Sequence, residues 1–188
     1  MSRRRFWWLL LTIGILAGAP WAITHAVFTD TQAVTGNTFT TGSVDISTSP
    51  TSALVTFSGM TPGDKVTAPL TVSNAGTLQL RYAMSTSISG STTLSDGLTL
   101  QIKTGVTTCS NAGFGTDGTS IYGSGTLTAG AIGSSAQGAQ AGDRTLNASA
   151  SEVLCFQVSL SSSASSTLQG LSTTATFTFD AEQTTNNP

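Results

Sequence analysis

Nine carboxylates, two cysteines and a single histidine are the side chains of this 188-residue chain with the most scope for chemistry. Asp30, Asp45, Asp64, Asp96, Asp117, Asp143, Glu152, Asp180 and Glu182 are scattered singly. Adjacent carboxylates could run the acid–base chemistry of glycosidases or aspartic proteases. Four of these instead stand beside glycine, in Gly63-Asp64, Asp96-Gly97, Asp117-Gly118 and Gly142-Asp143, which is the composition of turns. A calcium site built from such loops is the alternative, although no EF-hand spacing occurs. No GxxxxGK phosphate loop is present. No cofactor is expected.

The histidine, His25, belongs to a segment that reads as an export signal. Arg3, Arg4 and Arg5 precede an apolar run from Phe6 to Ile23, followed by Thr24-His25-Ala26. A positive start, an apolar centre and a small terminal residue are the parts of a secretory signal, here a helix over residues 1–26. Cleavage is expected between Ala26 and Val27 by a signal peptidase, with membrane contact limited to this segment. An uncleaved anchor is the alternative, since the run is just long enough to span a bilayer. Ser2 to Phe6 also loosely matches a twin-arginine signal, which leaves the export route open. The mature chain would keep four cations against nine acids, a net charge of −5. It would have no histidine, hence no Ser-His-Asp triad, Cys-His pair or His-ligated zinc. Cys109 and Cys155, an even pair in an exported chain, are expected to form a disulfide. The remaining cations, Lys65, Arg81, Lys103 and Arg144, are too dispersed to track nucleic-acid phosphates.

The elements that must position these residues are strands. Charged residues make up 9% of the chain and Ser with Thr about a third, a composition of hydroxyl-covered β-structure. Leu78, Leu80, Tyr82 and Met84 alternate with polar or small residues, as do Leu98, Leu100 and Ile102, and Ala175, Phe177 and Phe179. Period-two alternation buries one face of a strand. Further strands are expected over Phe39–Ser47, Ala53–Ser58, Val66–Ser73, Ser120–Leu127 and Glu152–Leu160. Short strands between Gly- and Ser-rich turns predict an all-β fold, an antiparallel β-sandwich forming one domain over residues 27–188. Pro69 marks an edge strand or a bulge. Leu154, Phe156, Val158 and Leu160 share the inward parity, so Cys155 points away and the disulfide should pin the Cys109 loop outside the core. Gly123–Gly142 reads as a long flexible Gly/Ser/Ala-rich loop.

Several segments together resemble a known family. Val27-Phe28-Thr29-Asp30-Thr31 is followed by Gly36-Asn37-Thr38-Phe39-Thr40-Thr41-Gly42-Ser43-Val44-Asp45-Ile46. Then come Met60-Thr61-Pro62-Gly63-Asp64, Val72-Ser73-Asn74-Ala75-Gly76-Thr77, Leu154-Cys155-Phe156-Gln157-Val158 and Phe177-Thr178-Phe179-Asp180-Ala181-Glu182-Gln183. In order, and behind a signal, they are similar to an actinobacterial branch of the TasA/camelysin family. The resemblance implies a jelly-roll-like sandwich exported with a SipW-type signal peptidase. It also implies assembly into biofilm-matrix fibres, the N-terminal segment of one subunit completing the sheet of the next. Camelysins, by contrast, are cell-surface metallo-endopeptidases.

The residues themselves suit assembly. Val27, Phe28, Thr29, Asp30, Thr31, Gln32, Ala33 and Val34 form a strand-prone segment whose apolar positions keep no single parity. A segment with no register of its own is a candidate donor strand for another copy. Pairing within its own subunit, or fraying, is the alternative. The chain is therefore expected to be a secreted, extracellular or cell-surface structural protein that self-assembles by donor-strand complementation, not an enzyme. A camelysin-like surface metallo-endopeptidase and an adhesin or binding module are the competing readings.

Overall fold

The computed structural model describes residues 32, 36–52, 54–56 and 58–187. The signal segment, the Ala26–Val27 cleavage position and, apart from Gln32, the candidate donor strand lie outside the described residues. The chain divides into two units, Met1–Phe39 and Thr40–Pro188. In the first, Gln32 and residues 36–39 are irregular and exposed.

The second unit is the expected antiparallel β-sandwich. One sheet has the order β1 (Ile46–Ser49), β2 (Lys65–Asn74), β8 (Ser151–Leu160), β4 (Leu98–Thr104) and β5 (Thr119–Thr126). The other is centred on β3 (Leu80–Gly90), which pairs along its whole length with β9 (Thr173–Gln183). Its other side is shared by the short strands β6 (Ala131–Ile132) and β7 (Arg144–Leu146). The chain crosses between sheets at every connection except β1–β2, β4–β5 and β6–β7, a jelly-roll-like path. Leu70, Val72, Leu100, Ile102, Leu154 and Phe156 from the first sheet meet Leu80, Tyr82 and Met84 from the second in one core. Each such side chain, fully buried, contributes about 1.5–3 kcal/mol. A short helix, α1 (Thr92–Gly97), begins where Ser91 Oγ accepts the Leu94 N–H at 3.1 Å. Among the described residues no helix is long and apolar enough to cross a membrane.

Three expectations need correction. Gly123–Gly142 is not a loose loop. It completes β5, buries Leu127 and Ile132, and carries the chain from one sheet to the other, closing that side of the sandwich. Its few apolar residues are spaced to reach the core, which composition averages away. The strand expected over Phe39–Ser47 is confined to β1. Ahead of it, Ser43 O accepts the Thr77 and Leu78 N–H groups, and Asp45 O accepts the Ala75 N–H. No strand forms over the described residues of Ala53–Ser58 either. Extending β1 would set Thr51 opposite Pro69 in a hydrogen-bonded position, but Pro69 has no N–H to offer, and Pro50 interrupts the other side.

The contact between residues 43–45 and 75–78 joins two of the family-like motifs. Asn74, buried, holds it from beneath: its Nδ2 donates to the carbonyls of Leu78, Leu146 and Asn147 at 2.8–3.2 Å, and its Oδ1 accepts the Gly76 N–H. A Cβ at Gly76 would lie 2.4 Å from Ser43 O. Gly76→Ala is therefore expected to cost about 1–3 kcal/mol in chemical denaturation, because backbone must move to admit it. Gly115→Ala, with open space around it, should be near neutral.

Candidate functional site

The side of the sandwich opposite the β5–β6 crossover is open. There β9 forms the edge of its sheet, paired over eleven residues with β3 and, among the described residues, with no strand beyond. Thr184 N–H reaches Gln79 O, and Ser91 N–H reaches Ser172 O, so even-numbered residues of β9 face β3. Alternation then turns the N–H and C=O of Ala175, Phe177, Phe179 and Ala181 to the unpaired edge. The same residues point their side chains between the sheets, where all four are only partly buried. The Phe177 ring lies 5.0 Å from Phe156, and Tyr82 lies 6.0 Å from Phe179.

Beside this edge runs an apolar groove made of two adjoining cavities of about 400 and 330 Å³. Val66, Leu70, Leu98 and Val158 supply one wall, Ala175 and Phe177 the other, and Leu54 lines both cavities. The arrangement combines backbone hydrogen-bonding groups and apolar pockets in a line, the chemistry needed to take an extended peptide.

The β2 and β5 edges are blunted. Beyond β1, the free stretch of β2 carries Lys65 and Pro69, and Pro69 lacks the outward N–H a visiting strand would use. β5 has register shifts against β4 and glycines at 123 and 125. β9 contains neither Pro nor Lys and keeps an unbroken register. Sequence reading found its inward residues but not that one side of it would be vacant.

Two further constellations occur away from this edge. Cys109 and Cys155 are disulfide-bonded with Cα atoms 5.6 Å apart. Cys155 has the outward parity expected, yet it is buried, because residues 105–118 fold over it. Lys103 Nζ holds that cover, donating to Phe114 O at 2.8 Å and Asp117 O at 3.1 Å, above the Phe114 ring. Replacing both cysteines by alanine is expected to cost about 2–4 kcal/mol. Amide exchange should accelerate first across residues 105–118; equal acceleration in β2 and β8 would contradict an external staple.

The second constellation was missed. Glu152 of β8 accepts the Tyr82 hydroxyl at 2.7 Å and the Arg144 Nε at 2.9 Å, tying one sheet to the other. Burial pulls the Glu152 carboxyl up, but the hydrogen bonds from Arg144 and Tyr82 and the Arg144 charge outweigh it and hold it below the ordinary value. Burial, then the hydrogen bond to Glu152, pushes the Tyr82 phenol well above its ordinary range. A signal was available, since Glu152 shares the inward parity of Leu154 and an inward carboxylate requires partners.

Four other carboxylates are spent on loop and turn contacts. Asp64 accepts the Thr61 N–H, Asp96 the Thr128 hydroxyl, Asp117 the Thr107 N–H, and Asp143 the N–H groups of Ser134 and Gln140. Among the described residues no three His, Cys, Asp or Glu side chains converge on a point that could hold a metal ion.

Residues 10–101 match the family model for camelysin metallo-endopeptidase. No curated protein matches the chain significantly. The matched stretch includes Thr61–Asp64, and also Gly42–Ile46 and Ser73–Thr77, the two motifs that meet around Asn74; β9 and the disulfide lie beyond it. The family's description implies a catalytic metal. Among the described residues the donor set does not fit one, its carboxylates being dispersed and most of them already hydrogen-bonded. Over residues 10–101 the chain is similar to the camelysin family, in keeping with the resemblance of the motifs found there.

Proposed function

We propose that this chain is a secreted or cell-surface structural subunit that polymerises by strand addition, each β9 edge taking the segment Val27–Val34 of another copy. The observation that carries the reading is the β9 edge: eleven residues in unbroken register, free of Pro and Lys, and flanked by an apolar groove. A donated strand would pair with the outward backbone groups of Ala175 to Ala181 and place alternate side chains in the groove. Because donor and acceptor surfaces differ, such contacts run head to tail, and a repeat whose rotation does not close generates a filament. A charge-poor chain, 9% charged, opposes such stacking little.

Electron microscopy of the exported protein tests this. Fibres are expected from the intact mature chain and monomers from one lacking Val27–Val34. Monomers from both at high concentration would overturn the proposal.

The description of the matching family favours a second reading, a surface metallo-endopeptidase. Chelator-sensitive cleavage of an unstructured protein such as casein by the purified chain would support it over assembly.

A further inference from the structure

The groove beside β9 is partly covered in the single subunit. Between β1 and β2 the chain turns across the open side of the sandwich, and Leu54, Val55 and Met60 pack there, half-buried, against the core. Leu54 sits where the two cavities adjoin, with Val55 and Met60 in the larger one. Among the described residues from Thr51 to Met60, none makes a hydrogen bond, whereas the flanking strand and turn are fully bonded: β1 to β2, and Thr61 to Asp64. These residues therefore cover apolar surface without satisfying the backbone of β9.

We infer that Leu54, Val55 and Met60 form a built-in plug that covers the strand-accepting groove of the free subunit and is displaced when a second copy donates its strand. The inference rests on the assembly reading above and adds its regulation. The physical basis is an asymmetry between the two occupants. Both bury apolar side chains, but only a strand also pairs with the outward N–H and C=O groups of Ala175, Phe177, Phe179 and Ala181. The plug is thus the weaker occupant by a set of ladder hydrogen bonds, yet it is always present at the high effective concentration of an intramolecular group. It delays premature association of an edge that carries no Lys, Pro or bulge of its own. Two prolines keep the plug from becoming a strand itself: Pro50 interrupts β1, and Pro69 denies the β2 edge the bond that would zip it down. The segment holds a position over the groove with nothing to lock it there.

The test compares the exported protein with its Leu54→Ser/Val55→Ser variant, following assembly by light scattering and microscopy. Thermal melts establish that both are folded. The variant is expected to shorten the lag before fibre growth at least threefold. In the unsubstituted protein, chymotryptic cleavage after Leu54 and Met60 should become at least threefold faster in fibres than in monomers, because displacement exposes the segment. An unchanged or lengthened lag with normal fibres, or cleavage no faster in fibres, would overturn the plug while leaving strand addition intact. Failure of both proteins to assemble would overturn both. If the double variant does not melt cooperatively, Met60→Gln replaces it with the same expected outcome, and cleavage of the unsubstituted protein stands independently.

Discussion

Ala175→Pro is expected to raise the concentration needed for fibre growth roughly tenfold or more and leave the subunit folded. The Ala175 N–H points to the unpaired edge of β9, so the substitution removes no hydrogen bond to β3. Proline does remove one bond from any strand added at that edge, and its ring blocks close approach. A ladder bond is worth about 1 kcal/mol net, and with the added clash the affinity should fall roughly tenfold or more. One residue along, the geometry reverses. The Thr176 N–H faces β3, opposite Ser87, so Thr176→Pro breaks the internal ladder and should cost about 1–3 kcal/mol of fold stability. Sedimentation and microscopy read assembly, and thermal melts read stability. The assignment of β9 as acceptor fails if Ala175→Pro forms fibres normally. It also fails if both prolines unfold the chain equally, since the edge would then be occupied within the subunit.

Removing the Glu152 carboxylate is expected to have the largest effect on folding. It leaves the Arg144 charge and the Tyr82 hydroxyl between the sheets without their shared acceptor. Loss of one partner from a buried pair costs about 3–5 kcal/mol; Arg144 is 25% exposed, so about 3 kcal/mol is expected for Glu152→Leu in denaturant unfolding. The same group predicts a pH dependence. Its folded-state pKa is depressed, so its stabilisation is fully present above the unfolded-chain value, near about 4.3, and is lost as pH falls below that value and through the folded one. Melting temperatures measured downward from pH 5 should therefore drop more steeply for the unsubstituted protein than for Glu152→Gln. Parallel curves would assign the acid sensitivity to other carboxylates.

Much of the fold was legible because strands announce themselves locally. The inward sets of β2, β4, β8 and β9 follow from alternation alone, and the outward parity of Cys155 followed from the same count. Where reading failed, partners distant in the chain had taken over. Gly123–Gly142 looks unpackable by composition, yet Leu127 and Ile132 reach a core made by other strands. Residues 39–45 have strand-like composition, but the carbonyls of Ser43 and Asp45 go to the 75–78 turn because Gly76 lets the two backbones touch. Glu152 was counted among dispersed acids, although its parity already aimed it inward.

By itself the sequence determined the fold class, which side of each main strand is apolar, the lack of histidine after Ala26, and the presence of one proline in β2. Each of these is a property of residue type and spacing, carried within a few neighbours. Only the tertiary structure decided which edge is vacant among the described residues, that Pro69 guards the β2 edge while β9 has no proline of its own, and that Leu54, Val55 and Met60 line the groove. An edge is defined by what does not pair with it, and pairing is settled among strands 78 to 103 residues apart, through the competition of all their faces for one core.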